Sequence, residues 1–366
     1  MFRKILFVFC LLAVFGLASS GGGAIAKNKT PTFEQVFTPG FPNENPWLIG
    51  GLRQYQSSLY ISVSSETSGG QIWRSFDGKT WEPVVLKDFG ISPSYHMSWD
   101  MTVFQGKLYV PVNCYGAANC PGILLRSSNG QDWEQIPLDT GTYQLDKLGV
   151  YKGMIYATSV WGGGQIWRSP TGNPGTWQVV KDLEPGVGSS SSPTAYKNRL
   201  YISGYASGDS VFIWQSADGL NWETTNLKIT DNPEAYIRDG RLTVFKGDLY
   251  LCVTNYADGG AIYRTRDGRN WEPVVSGDPS TSIGAYMDTI EYQGDLYAAS
   301  FYYVSEENWG TKLWRSHTGN PGDWELVNAD GSWGLKIYPE RGAMGIFKGD
   351  LYIEDVFGSL YRMKKH

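Results

Sequence analysis

One nine-residue stretch decides the fold: Trp73-Arg74-Ser75-Phe76-Asp77-Gly78-Lys79-Thr80-Trp81. Ser and Asp side chains accept hydrogen bonds from the backbone of a turn, Gly supplies a positive φ, and the closing Trp is a large ring for packing. The stretch therefore predicts a tight turn between two strands. Related stretches recur at residues 126–133, 167–177, 214–222, 263–271 and 314–324.

A second motif precedes each of these turns and occurs once more near the C-terminus. An aromatic residue, two or three polar or Gly residues, an aliphatic residue and a Tyr recur together. The motif ends at Tyr60, Tyr109, Tyr156, Tyr201, Tyr250, Tyr297 and Tyr352. Consecutive members of this series are 45 to 55 residues apart. Internal repetition at such a period is typical of propellers and other repeat arrays.

Each repeat predicts four short antiparallel strands, which make one propeller blade. The seventh repeat stops at Leu360-Tyr361-Arg362-Met363 and has no fourth strand. The unmatched segment Phe33-Glu34-Gln35-Val36 resembles Trp81-Glu82-Pro83-Val84 of the first repeat. We therefore predict an all-β fold, a seven-bladed β-propeller of four-stranded antiparallel blades whose last blade is closed by the N-terminal strand.

Composition and charge agree with this architecture and exclude one class of partner. The 366 residues are 41% hydrophobic, 14% aromatic and 18% charged, with 45 Gly and 18 Pro, which favours short strands and many turns over helices. The net charge is -5, and Lys and Arg form no run before the C-terminal Lys364-Lys365. We expect no nucleic-acid partner, because binding to phosphates needs a basic surface.

The N-terminus has the order of a secretory signal. Arg3 and Lys4 precede an apolar run from Ile5 to Ala18, and small residues follow up to Ala26. We predict that residues 1–26 are a signal peptide, with an earlier cleavage point after Ala18 as an alternative. Residues 27–366 would then be one propeller domain, secreted or periplasmic, with a net charge of -7 and no membrane span.

Three cysteines remain in the predicted mature chain. Cys114 and Cys120 lie in one Gly- and Asn-containing segment, and we predict that they form a disulfide after export. Cys252 is expected to be a buried strand residue with an inert thiol. The sequence has no metal or nucleotide motif, so we predict no cofactor and no metal site. Calcium is left open at Asp258, Glu306 and Glu307.

The Ser/Thr-x-Asp-Gly-x-x-Trp turns resemble the Asp-box, or BNR, repeat of sialidase-like β-propellers, over essentially the whole mature chain. The box here is one residue shorter, because Asp and Gly are adjacent, and Asn129, Thr171 and Thr318 replace Asp in three turns. The resemblance implies for a sialidase an arginine triad, a Tyr/Glu pair, an acidic Asp and six blades. Beyond Arg53, Arg238, Arg241 and Arg341 no set of nonrepeating arginines stands out, so we predict the fold without sialidase activity.

Residues that repeat at one position from blade to blade are predicted to be scaffold. They include Asp77, Asp218 and Asp267 and the third-strand arginines Arg74, Arg126, Arg168, Arg264, Arg315 and Arg362. Function is expected where the repeats differ, in loops on one face that are rich in aromatic residues. The predicted ligand-binding residues are Trp99, Trp161, Arg241, Tyr302, Tyr303, Trp309, Trp333 and Arg341. The alternative is that these rings only pack over that face of the propeller.

One position per blade should line the central channel. Counting four residues back from the first aromatic of each repeat gives Gly51, Asp100, Lys147, Ser192, Arg241, Asp288 and Ala343. If the protein is an enzyme, Asp100 and Asp288 are the predicted catalytic carboxylates. The alternative is a water-filled channel lined by compensating charges.

Three functions follow from these patterns. The leading hypothesis is an exported, monomeric binding module that recognises a carbohydrate, or an extracellular or envelope protein, through its aromatic loop face without catalysis. The alternative is a glycoside hydrolase or polysaccharide lyase that uses Asp100 and Asp288. A third hypothesis is a structural protein whose loop face docks another subunit.

Overall fold

The computed structural model contains strands and turns, and its described residues include no α-helix. The structure describes residues 31–38, 46–65, 69–86, 89, 96–114, 123–138, 144–160, 164–189, 191–205, 208–232, 237–255, 259–276, 283–305, 308–327, 344–354 and 359–364. The predicted signal peptide, residues 1–26, lies outside them. No helix in these ranges is long and apolar enough to cross a membrane.

The described ranges hold 29 strands. In chain order they are β1 (Phe33–Phe37), β2 (Pro46–Tyr55), β3 (Ser58–Ser65), β4 (Gly69–Ser75), β5 (Glu82–Val85), β6 (His96–Met97), β7 (Thr102–Phe104), β8 (Lys107–Cys114), β9 (Ile123–Ser127), β10 (Glu134–Pro137), β11 (Gln144–Tyr151), β12 (Met154–Val160), β13 (Gln165–Ser169), β14 (Gln178–Asp182), β15 (Thr194–Tyr196), β16 (Arg199–Tyr205), β17 (Ser210–Ser216), β18 (Glu223–Lys228), β19 (Ile237–Phe245), β20 (Asp248–Asn255), β21 (Ala261–Thr265), β22 (Trp271–Val275), β23 (Ile283–Tyr292), β24 (Asp295–Ser305), β25 (Asn308–Ser316), β26 (Trp324–Leu326), β27 (Met344–Phe347), β28 (Asp350–Glu354) and β29 (Leu360–Met363).

These strands form seven four-stranded antiparallel blades within the described part of the chain, which confirms the predicted propeller. Blades 1 to 6 are β2–β5, β7–β10, β11–β14, β15–β18, β19–β22 and β23–β26, with the short β6 added to blade 2. The first strand of each blade contacts first strands of other blades, so these strands line the central channel. Blades 5 and 6 are also joined by pairing of β20 with β23.

The N-terminal strand closes blade 7, as predicted. β1 pairs with β29, and Glu34 stands opposite Arg362 just as Glu82 stands opposite Arg74 in blade 1. Phe37 of β1 is buried in a cluster that contains residues of both blade 7 and blade 1. The last and first repeats are therefore held together by a strand that comes from the opposite end of the chain.

The repeated Tyr of one blade packs against the repeated Gly of the next blade. Tyr60 of blade 1 is buried against Gly130 of blade 2, where an added Cβ would lie 1.8 Å from the Tyr hydroxyl. Tyr352 of blade 7 lies in the same way against Gly78 of blade 1, at 1.9 Å. Because each contact joins one blade to the next, the two motifs of the sequence together build the seams of the ring.

The repeated acids and arginines are scaffold in the described blades. Oδ1 of Asp77 accepts hydrogen bonds from the backbone N–H groups of Lys79 and Thr80 at 2.8 and 2.7 Å, which lowers the pKa of the Asp77 carboxyl. Arg74 pairs with Glu82 of the neighbouring strand. The equivalent pairs Arg126–Glu134, Arg264–Glu272 and Arg315–Glu325 repeat this contact in other blades.

The cysteines were only partly within the described region. Cys252 is a fully buried residue of β20, as predicted, and burial raises the pKa of its thiol well above the usual range. Cys120 lies outside the described residues, and so does the side chain of Cys114, whose backbone ends β8. Their disulfide stays a prediction.

Candidate functional site

The channel-lining strands are interrupted at the level of the predicted channel residues. The pairing register shifts between Ile49 and Gly51, between Leu145 and Lys147, and between Tyr286 and Asp288. In blade 5 the shift spans Gly240 and Arg241, and in blade 2 residues 98–101 separate β6 from β7. A bulge turns a side chain away from the regular alternation of a strand. We call Gly51, Asp100, Lys147, Ser192, Arg241 and Asp288 the inner ring.

Asp100 is a buried carboxylate that joins three blades. Its Oδ1 accepts a hydrogen bond of 2.8 Å from the Met101 N–H. Its Oδ2 accepts one of 2.9 Å from the Leu148 N–H of blade 3 and one of 2.9 Å from the Ser192 hydroxyl of blade 4. The residue is 6% exposed. Its oxygens are therefore engaged by buried donors of the protein itself.

Asp288 is the second buried acid, and its surroundings differ from those of Asp100. Oδ2 accepts a hydrogen bond of 3.0 Å from the Met344 N–H of blade 7, and Oδ1 lies 3.1 Å from Nε of Arg241. Burial raises the pKa of Asp288 to about 6, against the opposing effects of Arg241, the Met344 and Thr289 N–H groups and Lys147. Asp288 is thus a carboxyl group that titrates close to neutral pH.

Arg53 enters the same region from blade 1. Its Nε donates a hydrogen bond of 2.9 Å to the Met101 carbonyl. Its side chain is exposed to solvent, yet desolvation by surrounding protein lowers the pKa of Arg53, as does the charge of Arg241, while Asp100 raises it. A side chain can contact solvent and still be surrounded by protein when it lies in a narrow, water-filled space. Arg53 therefore points into the central channel.

The electrostatic contacts cross the ring. Arg241 belongs to blade 5 and Arg53 to blade 1, which are not neighbours, yet the charge of one shifts the pKa of the other. Lys147 of blade 3 likewise acts on Asp288 of blade 6. These pairs interact because their side chains converge on the channel. The structure thus brings together the cations Arg53, Lys147 and Arg241 with the carboxylates Asp100 and Asp288. Arg53 was not a predicted site residue.

Sequence reasoning could have found Arg53 from the strand period. It stands two residues after Gly51, so the two residues share a face of β2. An added Cβ on Gly51 would lie 2.9 Å from the backbone of Asp100. This close approach brings the same face of β2 against blade 2. Counting four residues back from the first aromatic residue selects one position per blade, which is Gly51 in blade 1. The count therefore missed Arg53.

The predicted aromatic site residues are placed only in part. Trp99 is half-buried, and its carbonyl accepts a hydrogen bond of 2.9 Å from Nζ of Lys147. Trp161, Trp333 and Arg341 lie outside the described residues.

Tyr302, Tyr303 and Trp309 were predicted to lie in loops, and this prediction of their secondary structure is wrong. Tyr302 and Tyr303 belong to β24 and Trp309 to β25, and Tyr303 stands opposite Trp309 in a lengthened hairpin. The backbone pairing continues through the extra length because the segment is rich in aromatic and β-branched residues, which favour strands. The side chains of these three residues lie outside the described part of the structure.

Tyr205 shows how another aromatic residue, at the end of a second strand, can be packed and not exposed. It ends β16, is 7% exposed and lies under Arg238, whose guanidinium carbon is 5.0 Å from the ring centroid. At this position the packing alternative is the one observed. The described residues contain no group of three or more His, Cys, Asp or Glu side chains that could hold a metal ion.

Comparisons with known proteins support the fold. No family model matches the chain, and no curated protein matches it in sequence. Its structure is similar to that of a family PL25 ulvan lyase bound to a GlcA(1-4)Rha3S saccharide, with a TM-score of 0.55 and 11% identity over 90% of this chain and 94% of that chain. A chain of the mitotic checkpoint complex is similar with a TM-score of 0.57 and 12% identity, over 98% of this chain and 99% of that chain.

A sialidase of Trypanosoma rangeli in complex with the inhibitor DANA gives a TM-score of 0.50 and 13% identity. That match covers 77% of this chain and 54% of the sialidase chain. These proteins include carbohydrate-active enzymes and a checkpoint assembly, so the shared feature is the β-propeller fold. The activity of this chain must be argued from its own residues.

Proposed function

We propose that the protein is an exported carbohydrate-binding propeller that holds its ligand at the mouth of the central channel and does not turn it over. The observation that carries the proposal is the engagement of Asp100 by three donors of the protein itself. A hydrolase of the predicted kind needs two carboxyl groups that can reach the glycosidic bond. Asp100 instead serves to hold blades 2, 3 and 4 together.

The polar lining of the channel supports a hydrophilic ligand. Arg53, Lys147 and Arg241 converge there and keep hydrogen-bond donors for a partner, since each contacts one acceptor among the residues that the structure describes. Carbohydrates are recognised by such donors together with aromatic rings. The structurally similar ulvan lyase is bound to a GlcA(1-4)Rha3S saccharide in its solved structure.

The alternative function is a glycoside hydrolase or polysaccharide lyase, and one observation favours it. Asp288 has a pKa raised to about 6 by burial, which is a property of general acids that work near neutral pH. In that case Asp288 would act with a partner other than Asp100. One experiment distinguishes binding without turnover from this enzymatic alternative.

The test is retention of purified residues 27–366 on a panel of immobilised polysaccharides, with released sugar and unsaturated ends measured over hours. Stable retention without product supports binding. Product formation that is lost in Asp288→Asn, with retention preserved, would establish the enzyme instead. Absence of retention on every polysaccharide would remove the carbohydrate proposal and leave a protein partner to be sought.

The remaining predictions complete the proposal. Residues 1–26 direct export, Cys114 and Cys120 form a disulfide outside the cytoplasm, and the mature protein is a monomer. Its turns are a variant of the Asp box that is one residue shorter. N-terminal sequencing of the exported protein, thiol titration before and after reduction, and sedimentation of the purified chain test these points in turn.

A further inference from the structure

Two arginines stand in the channel with unused donors. A guanidinium group carries five N–H donors in a rigid fork. Arg53 uses its Nε on the Met101 carbonyl, and Arg241 presents its Nε to Asp288. No acceptor among the described residues takes the Nη groups of either side chain. Arg53 is exposed, and the side chain of Arg241 is 35% exposed, so a ligand can reach both.

Among the five charged groups brought together at the channel, cations outnumber carboxylates. Arg53, Lys147 and Arg241 contribute three positive charges, whereas Asp100 and Asp288 contribute at most two negative ones. The Asp100 carboxylate is further stabilised by three donors, and Asp288 is partly protonated near neutral pH because its pKa is raised to about 6. These five groups therefore have a positive sum in a protein whose overall charge is -5.

An added anion would relieve this imbalance. Desolvation and the charge of Arg241 both lower the pKa of Arg53, so its charged form lacks full compensation. A planar oxyanion can accept two parallel hydrogen bonds from one guanidinium group, which is the strongest geometry such a pair offers. We propose that Arg53 and Arg241 form an anion subsite that binds the carboxylate or sulfate ester of an acidic polysaccharide. This inference rests on the proposed carbohydrate-binding function and names its ligand class.

The experiment measures the affinity of residues 27–366 for polygalacturonate, dextran sulfate and neutral dextran. We expect binding to an acidic polymer and a loss of about 10- to 100-fold in Arg53→Gln, because hydrogen bonds to a charged group contribute that much. Arg53→Lys keeps the charge and loses the fork, so its affinity should lie between the two. Preference for polygalacturonate would identify a carboxylate, and preference for dextran sulfate a sulfate ester.

Arg269→Gln is the matched control, because Arg269 is a 62% exposed residue of an outer turn and the substitution removes the same charge. Its affinity should equal that of the unchanged protein. An equal loss in Arg269→Gln and Arg53→Gln would overturn the subsite in favour of general charge attraction. For Arg241 the double variant Arg241→Gln/Asp288→Asn avoids leaving a buried carboxylate without its cation, and we expect the same loss.

The outcome separates this inference from the proposed function. Binding to dextran that is unchanged in Arg53→Gln would keep the carbohydrate-binding function and refute the anion subsite. If no polymer binds, thermal stabilisation by inorganic sulfate is compared between the unchanged protein, Arg53→Gln and Arg269→Gln. A smaller stabilisation in Arg53→Gln alone supports an anion subsite without carbohydrate binding, and equal stabilisation in all three refutes both.

Discussion

The hydroxyl of Ser192 donates a hydrogen bond of 2.9 Å to Oδ2 of Asp100, although Ser192 belongs to blade 4 and Asp100 to blade 2. The Leu148 N–H of blade 3 donates a hydrogen bond to the same oxygen. One carboxylate thus connects three consecutive blades at the channel. Asp100, which the sequence predicts to be catalytic if the protein is an enzyme, thus also links three blades of the structure.

We expect Asp100→Ala to lower the free energy of unfolding by about 2–4 kcal/mol, because it leaves buried donors without an acceptor. Asp100→Asn keeps one acceptor oxygen and should cost less. Ser192→Ala removes a single donor and should cost least of the three. Urea denaturation followed by Trp fluorescence measures the order, and a free energy of unfolding unaffected by Asp100→Ala would exclude the structural role.

The Tyr–Gly seam can be tested with two glycines that share one backbone conformation. Gly130 and Gly106 both have a φ of 71°, but an added Cβ meets the Tyr60 hydroxyl at 1.8 Å in the first and nothing within 4 Å in the second. Gly106→Ala should cost about 1 kcal/mol from backbone strain alone. Gly130→Ala should cost about 3 kcal/mol, since the seam must open as well. Equal costs would show that the Tyr60 contact is not tight in solution.

Ring closure depends on β1, so its removal should be severe. A chain that begins at Gly40 lacks Phe37, which is 5% exposed and packs with residues of blades 7 and 1, and it leaves the edge of β29 unpaired. We expect loss of cooperative unfolding and aggregation. A chain that begins at Pro31 retains β1 and is the matched control.

The fold was predictable from sequence because the same strand and turn motifs recur from repeat to repeat. The turn motif fixes the hairpin between the third and fourth strands, and the unmatched Phe33-Glu34-Gln35-Val36 reveals the closure. The hairpin in blade 6 was not predictable in this way. No other repeat has a counterpart to residues 302–309 of β24 and β25, so the repeat comparison had nothing to align them with.

The channel was predictable in position but not in chemistry. Counting along the repeats identified Asp100 and Asp288, yet the sequence could not show that the first is engaged by Leu148 and Ser192 whereas the second faces Arg241. Bulges decide these contacts, because a shift of one residue in register sends a side chain to the other face of a strand. No local pattern in one sequence marks where such a shift occurs.

Asp288 gives the protein a pH dependence of known sign. Its pKa is raised from the ordinary value of 3.8 to about 6 by burial, so the folded state binds this proton more tightly than the unfolded state. Stability from this group is therefore greatest below about pH 4 and is lost as the pH rises through about 6. Carboxyl groups with lowered pKa, such as Asp77, act in the opposite sense and at lower pH.

The comparison with Asp288→Asn isolates this effect. The variant cannot titrate at position 288 but can still accept the hydrogen bond from the Met344 N–H. We expect the free energy of unfolding of the unchanged protein, relative to that of the variant, to fall by about 2 kcal/mol between pH 4.5 and 7.5, since each pKa unit corresponds to about 1.4 kcal/mol and part of the change occurs below pH 4.5. Urea denaturation of both proteins at several pH values measures this difference. A difference that stays constant across that range would mean that Arg241, 3.1 Å away, keeps Asp288 ionised throughout.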